Sequence, residues 1–254
     1  MTITDTLLTP GLAHGRPGKK LDGAKPAGIA VHYVGNAGSS AMGNRNYFQN
    51  GSGGNGVSAH FIIGLNGEIL RCLPDDEVGY HAGRSYGAQW DATAKTANSK
   101  YIGIECCHPG ADGKFSDKTY ASLVDLAASL CKKYGFGINQ IFRHYSLCGK
   151  NCPLYYVKNP DAWQKLLSDI TLRLNGMQAA AAVTAPITAA NPAATAPSLQ
   201  TPVMSTEPSD WAKESWDWAK SHGYNDGTRP RDNATREELV AFIWRVLTKP
   251  GGMK

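Results

Sequence analysis

"HFIIGLNGEILRCL", residues 60–73, places two short apolar runs on either side of Asn66-Gly67. That dipeptide tolerates positive φ, so it predicts a tight hairpin and two antiparallel strands. Working outward, "GIAVHYV" (28–34) and "YIGIECC" (101–107) read as further buried strands. "SDKTYASLVDLAASLCKKYG" (116–135) brings Tyr120, Leu123, Val124, Ala127, Leu130 and Cys131 to one helical stripe, with lysines in the last turn and Gly135 as the stop. "PDAWQKLLSDITLRLNG" (160–176) predicts a second helix ending at Gly176. Strands separated by amphipathic helices indicate an α/β domain, and the hairpin makes its central β-sheet mixed, flanked by helices. "GNAGSSAMGNRNYFQNGSGGNG" (35–56) reads as a loop, either a rim around a groove or plain surface.

A chain of 254 residues has room for one good core and a small second unit. Its 42% hydrophobic and 19% charged residues are ordinary for a globular protein, and no run is long enough to span a bilayer. The net charge of +5 comes without a dense Lys/Arg tract, which argues against nucleic acid and favours an anionic polymer. "MTITDTLLTPGLAHGRPGKK" lacks the basic and apolar regions of a secretory signal, so the expectation is synthesis in a cytoplasm. There the six cysteines would be reduced, favouring metal binding or burial.

Composition changes near residue 178, where an Ala/Pro/Thr-rich stretch carries no aromatic residue and no charge until Glu207. Its prolines favour extended backbone, and it has nothing with which to build a core. The division expected is a domain at 1–177, a linker at 178–206 and a small all-α unit at 207–254. In that last unit, "SDWAKESWDWAKSHG" and "TREELVAFIWRVL" form a helix-loop-helix, with Thr235 and Glu238 spaced as a capping box.

"RHYSLCGKNCP" (143–153) concentrates ligand chemistry. Zinc takes imidazole and thiolate readily, and His144 and Cys152 flank a glycine-containing loop that can fold back on itself. Cys148 competes with Cys152, because His-x3-Cys is also acceptable zinc spacing. A third ligand must come from elsewhere. His32, in mid-strand among apolar residues, is costly there without a partner. Two histidines and a cysteine leave a fourth position open, the stoichiometry of a catalytic rather than a structural site.

"VHYVGN", "SAHFIIGLNGEILRCL", "GYHAG", "YIGIEC" and "RHYSLCGKNCP", in this order, resemble the zinc-dependent N-acetylmuramoyl-L-alanine amidases that share a fold with peptidoglycan recognition proteins. The resemblance implies one Zn2+ held by His32, His144 and Cys152, Glu105 as the catalytic carboxylate, and Lys150 as a residue assisting the transition state. It further implies hydrolysis of the amide between N-acetylmuramic acid and L-alanine, and peptidoglycan as partner. Phage members of the family are endolysins, which act on the wall after release. Some members carry a catalytic tyrosine where this chain has Ala59, so the chain resembles the glutamate-using branch. His60 and His81 are expected either to line the substrate groove or to be structural. Cys72, Cys106, Cys107 and Cys131 are expected in the core, with the adjacent pair pointing to opposite faces of a strand.

The C-terminal unit resembles an S-layer homology motif, in "WAKESWDWAKSHGYNDGT" and "RPRDNATREEL". Such motifs bind anionic secondary wall polymers and usually come in threes. A single copy raises self-association as well as wall binding, with Trp211, Arg229, Arg231 and Arg236 as candidate contacts. Two alternatives stand beside the endolysin: a noncatalytic peptidoglycan receptor of the same fold, and a bacterial autolysin.

Overall fold

A computed structural model describes residues 1–184 and the single residues Asp217 and Ser221. Six strands form one sheet: β1 (Ile3–Asp5), β2 (Gly28–Tyr33), β3 (Phe61–Ile63), β4 (Ile69–Arg71), β5 (Tyr101–Cys106) and β6 (Ile141–Arg143). Their order is β1-β4-β3-β5-β2-β6, and every pairing is parallel except β3 with β4. The sheet is therefore mixed, and the antiparallel pair is the hairpin that the opening stretch predicts. Its turn is longer than a two-residue one. The Gly64 N–H donates to the Glu68 carbonyl, and Gly67 takes the positive φ, at 84°.

Helices α1 (Ala41–Gln49), α2 (Asp91–Ala97), α3 (Asp117–Tyr134), α4 (His144–Cys148), α5 (Leu154–Lys158) and α6 (Pro160–Thr184) accompany the sheet. Helix α3 starts where the Ser116 hydroxyl accepts from the Thr119 N–H at 3.1 Å, and it stops at Gly135, whose φ of 72° suits only a left-handed cap. Against one face of the sheet, α3 and α6 bury Leu123, Leu126, Leu130, Trp163, Leu166 and Ile170 on Ile29, Val31, Ile63, Ile102 and Ile104. Each such aliphatic side chain contributes about 1.5–3 kcal/mol when taken out of water.

Two details differ from the sequence reading. Helix α6 runs through Gly176 to Thr184 rather than ending at the glycine. A mid-helix glycine costs only about 1 kcal/mol, and Leu174 and Met177 still pack against the core while Lys132 donates to the Met177 carbonyl. The helix therefore enters the stretch assigned to the linker. Residues 185–206 of that stretch, and Trp211, Arg229, Arg231 and Arg236, lie outside the described residues. Second, the stretch 35–56 contains helix α1, capped by the Ser40 hydroxyl on the Gly43 N–H. Ala41 and Phe48 are buried on it, and Arg45 ties it to the Thr6 and Leu7 carbonyls. As the sequence predicts, all six cysteines are buried and free, with Cys106 and Cys107 in different clusters on opposite faces.

The second face of the sheet positions the site. It carries two smaller clusters, one of Ala41, Phe48, Ile62 and Leu70, the other of Ala30, Ala94, Ala97, Leu147 and Cys148. Alternation along β2 turns Ala30 and His32 to this face while Ile29 and Val31 enter the main core. The register pairs His32 with Glu105 and Glu105 with Ile62, so all three project to the same side.

Candidate metal centre

Three elements bring three donors together. His32 lies near the end of β2, His144 opens α4 directly after β6, and Cys152 follows the turn at Gly149, whose φ is 80°. The Tyr145 N–H donates to the Cys152 carbonyl at 2.9 Å, folding the loop back so that the cysteine returns to the histidine. His32 Nδ1 lies 2.9 Å from His144 Nδ1, and Cys152 Sγ lies 3.8 Å from His32 Nδ1. All three donor atoms fall within 4.8 Å of one another, and the three residues are buried. Bonds of about 2.0 Å to imidazole and 2.3 Å to thiolate in a tetrahedral site would set such atoms about 3.3–3.5 Å apart, so the cluster fits a metal ion. Cys148 is elsewhere: its thiol donates to the Ala82 carbonyl within the alanine-rich cluster.

Electrostatics supports the fit. Burial and the neighbouring His144, His81 and Lys150 hold His32 well below the usual imidazole range. Burial, with Lys150 adding to it, brings His144 down to about 3, so both rings are neutral lone-pair donors. Burial pushes the Cys152 thiol far up, with the Glu105 charge adding to it and the Tyr33 backbone opposing it. A divalent cation is the kind of charge that reverses this for a thiol. His144 Nε2 is buried without a partner.

Glu105 stands beside this cluster. Its Oε2 is buried with no hydrogen-bond partner, and burial raises its pKa to about 8, opposed by the charge of Lys150. An unpaired interior carboxyl is expensive for stability alone and is the usual mark of a proton-transfer group. Lys150 is exposed, and its charge acts on Glu105, His32, His144 and Cys152 alike.

Of the two readings open for His60 and His81, groove lining or a structural role, the hydrogen bonds of both rings favour the structural one. His60 is 0% exposed, with Nε2 donating to the Glu77 carbonyl at 2.8 Å and Nδ1 accepting from the Gly103 N–H at 3.0 Å. Both ring nitrogens are engaged, and the residue, immediately before β3, is fully buried. His81 also spends both nitrogens inward, Nδ1 at 3.1 Å from His32 Nε2 and Nε2 donating to the Tyr101 carbonyl at 3.0 Å. Two residues near the site escaped the sequence reading. Asn98 Oδ1 accepts from both the His81 and Ala82 N–H groups, at 2.9 and 2.7 Å, and Trp90 packs so closely on Gly149 that a Cβ there would lie 2.5 Å from its ring. Neither belongs to a ligand pattern, so no motif marks them.

The family model described as N-acetylmuramoyl-L-alanine amidase matches residues 22–154, more than half of the chain and a span that includes His32, Glu105, His144, Lys150 and Cys152. Among curated proteins, the chain is 36% identical over 148 residues to the N-acetylmuramoyl-L-alanine amidase CwlL of Bacillus licheniformis, covering 57% of this chain and 40% of that protein. It is 31% identical over 185 residues to the amidase BlyA of Bacillus subtilis strain 168, covering 69% of this chain and 49% of that protein. The chain thus spans less than half the length of these curated relatives. Among solved structures, a mutant endolysin from Bacillus subtilis aligns with a TM-score of 0.54 at 29% identity, over 67% of this chain and 99% of that one. The family match over more than half of the chain shows that the chain belongs to the N-acetylmuramoyl-L-alanine amidase family.

Proposed function

We propose that the protein is a zinc-dependent peptidoglycan hydrolase that cleaves the amide between N-acetylmuramic acid and the L-alanine of the stem peptide. The observation that carries this reading is the convergence of His32, His144 and Cys152 beside the unpartnered carboxyl of Glu105. Two imidazoles and a thiolate suit zinc better than the oxygen-preferring cations, and three protein ligands leave a position for water or substrate. Zinc held there supplies Lewis acidity toward a carbonyl and lowers the pKa of water to about 7.

The chain's own groups supply the rest. Glu105, with a pKa near neutrality, can take a proton from the attacking water and return it to the departing amine nitrogen, the poise that general acid–base transfer needs. The Lys150 ammonium faces the negative charge that grows on the carbonyl oxygen as the carbon becomes tetrahedral. The metal-facing side of the site is dry, with His32 and His144 only 1% and 4% exposed, which strengthens electrostatic interactions there.

The wider reading is an endolysin, made in a host cytoplasm and acting on the wall after release. In it the residues 207–254 act as an S-layer-homology-like unit that tethers the enzyme to an anionic wall polymer and raises its effective concentration. No helix among the described residues is long and apolar enough to cross a membrane.

The test is digestion of purified Gram-positive walls with and without a chelator, scoring new amino groups and new reducing sugar ends separately. New N-terminal alanine that disappears with chelator and returns with added zinc is expected. Sugar ends without amino groups would mean a glycosidase, and wall binding without cleavage would mean a receptor.

A further inference from the structure

His81 has a hydrogen-bonding pattern that leaves it one role. The Tyr101 carbonyl can only accept, so the His81 Nε2 that faces it at 3.0 Å carries the hydrogen. A neutral imidazole has one N–H, so His81 Nδ1 is an acceptor. The ring nitrogen 3.1 Å away, His32 Nε2, must then be the donor. With its hydrogen on Nε2, His32 presents a bare lone pair at Nδ1, the atom that faces His144 and Cys152.

The surroundings hold this relay in register. Asn98 clamps the backbone of His81 and Ala82 through one carbonyl oxygen, and the absent side chain at Gly103 makes room for the ring, since a Cβ there would lie 2.7 Å from His81 Cγ and Cδ2. His32 and His81 meet edge to face with ring centroids 5.0 Å apart.

We infer that His81 is a positioning residue that locks His32 in its Nε2–H tautomer and so aims the Nδ1 lone pair at the metal position. The inference rests on the metal reading of His32, His144 and Cys152. An imidazole takes the place that a carboxylate or backbone carbonyl usually fills behind a metal-bound histidine. In the metal-free protein the same arrangement makes His144 Nδ1 the donor across the 2.9 Å contact, which accords with its Nε2 having no partner.

The test compares the full-length protein with His81→Leu and His81→Gln. Leucine removes the acceptor; the glutamine amide replaces both the acceptor and the donor. Two readouts are used: the His32 tautomer in zinc-free protein, from long-range proton–nitrogen NMR correlations, and zinc affinity by competition with a chromophoric chelator. The wild type should show His32 protonated at Nε2. His81→Leu should lose that single tautomer and bind zinc about 10–100-fold more weakly, and His81→Gln should stay within about threefold of wild type. A wild-type His32 protonated at Nδ1, or a folded His81→Leu protein with unchanged affinity and tautomer, would overturn the inference. If His81→Leu fails to fold, the wild-type tautomer and His81→Gln still decide it. Failure of the wild type to bind zinc would instead sink the metal reading, while the tautomer measurement would still report on His81.

Discussion

Lowering the pH of the metal-free protein should begin to destabilise it above the range in which ordinary carboxylates protonate. His81 and His144 are held at about 3 by burial, and His32 is held well below its ordinary value. In the unfolded chain each returns to about 6.5. Below that pH the unfolded state binds protons that the folded state refuses, so stability is intact above about pH 6.5 and falls as pH drops. Glu105 acts oppositely. Its folded pKa of about 8 exceeds its unfolded value, so between about 4.5 and 8 the folded state holds one proton that the unfolded chain does not. Three imidazoles against one carboxyl leave a difference of about two protons, or about 2.7 kcal/mol lost per pH unit between pH 6 and 5. His60, also lowered mainly by burial, adds in the same direction. Urea titrations of chelator-treated protein at pH 7, 6 and 5 would show this as a midpoint falling by about 1 M over the last unit. Glu105→Gln removes the opposing proton and should steepen the loss to about 4 kcal/mol per unit. A midpoint that stays level or rises between pH 6 and 5 would refute the claim that these rings are held neutral by burial.

Three substitutions test other parts of the account. Glu105→Gln should leave zinc bound, by metal analysis, yet lower wall-hydrolysis turnover by at least about a hundredfold; near-normal turnover would remove Glu105 from the chemistry. Gly149→Ala combines a φ of 80° with a Cβ 2.5 Å from the Trp90 ring, and should cost about 1–3 kcal/mol in urea unfolding while slowing hydrolysis through the displaced Lys150. Leu166→Ala, at 0% exposure between α6 and the sheet, should cost about 2–5 kcal/mol with zinc affinity unchanged, and an unchanged midpoint would show that α6 contributes little.

The parts of the fold legible in the sequence are those with a local physical signature. Gly67 marks the hairpin because the turn needs a positive φ, and Ser116 and Gly135 mark the ends of α3 because they satisfy its orphan groups. β1 and β6 have three residues each, too few for periodicity, and they form because partners in β4 and β2 are already in place. α1 is mostly polar, and its helix depends on the Ser40 cap and on Arg45 reaching back to Thr6 in the N-terminal segment, 39 residues away in sequence. In the site, residue type and order identify His32, His144, Cys152 and Glu105, since few roles suit such groups in apolar strands. The function of His81 was not legible there. A histidine in a glycine-rich loop looks like a substrate contact until its two nitrogens are traced to Tyr101 and His32.

X-ray absorption spectroscopy at the zinc edge of the loaded full-length protein tests the central claim most directly. The account predicts one sulfur at about 2.3 Å and two imidazole nitrogens at about 2.0 Å, with one further light atom in the first shell, and loss of the sulfur contribution in Cys152→Ser. A shell of oxygen and nitrogen only, or a sulfur signal that persists in Cys152→Ser, would contradict it.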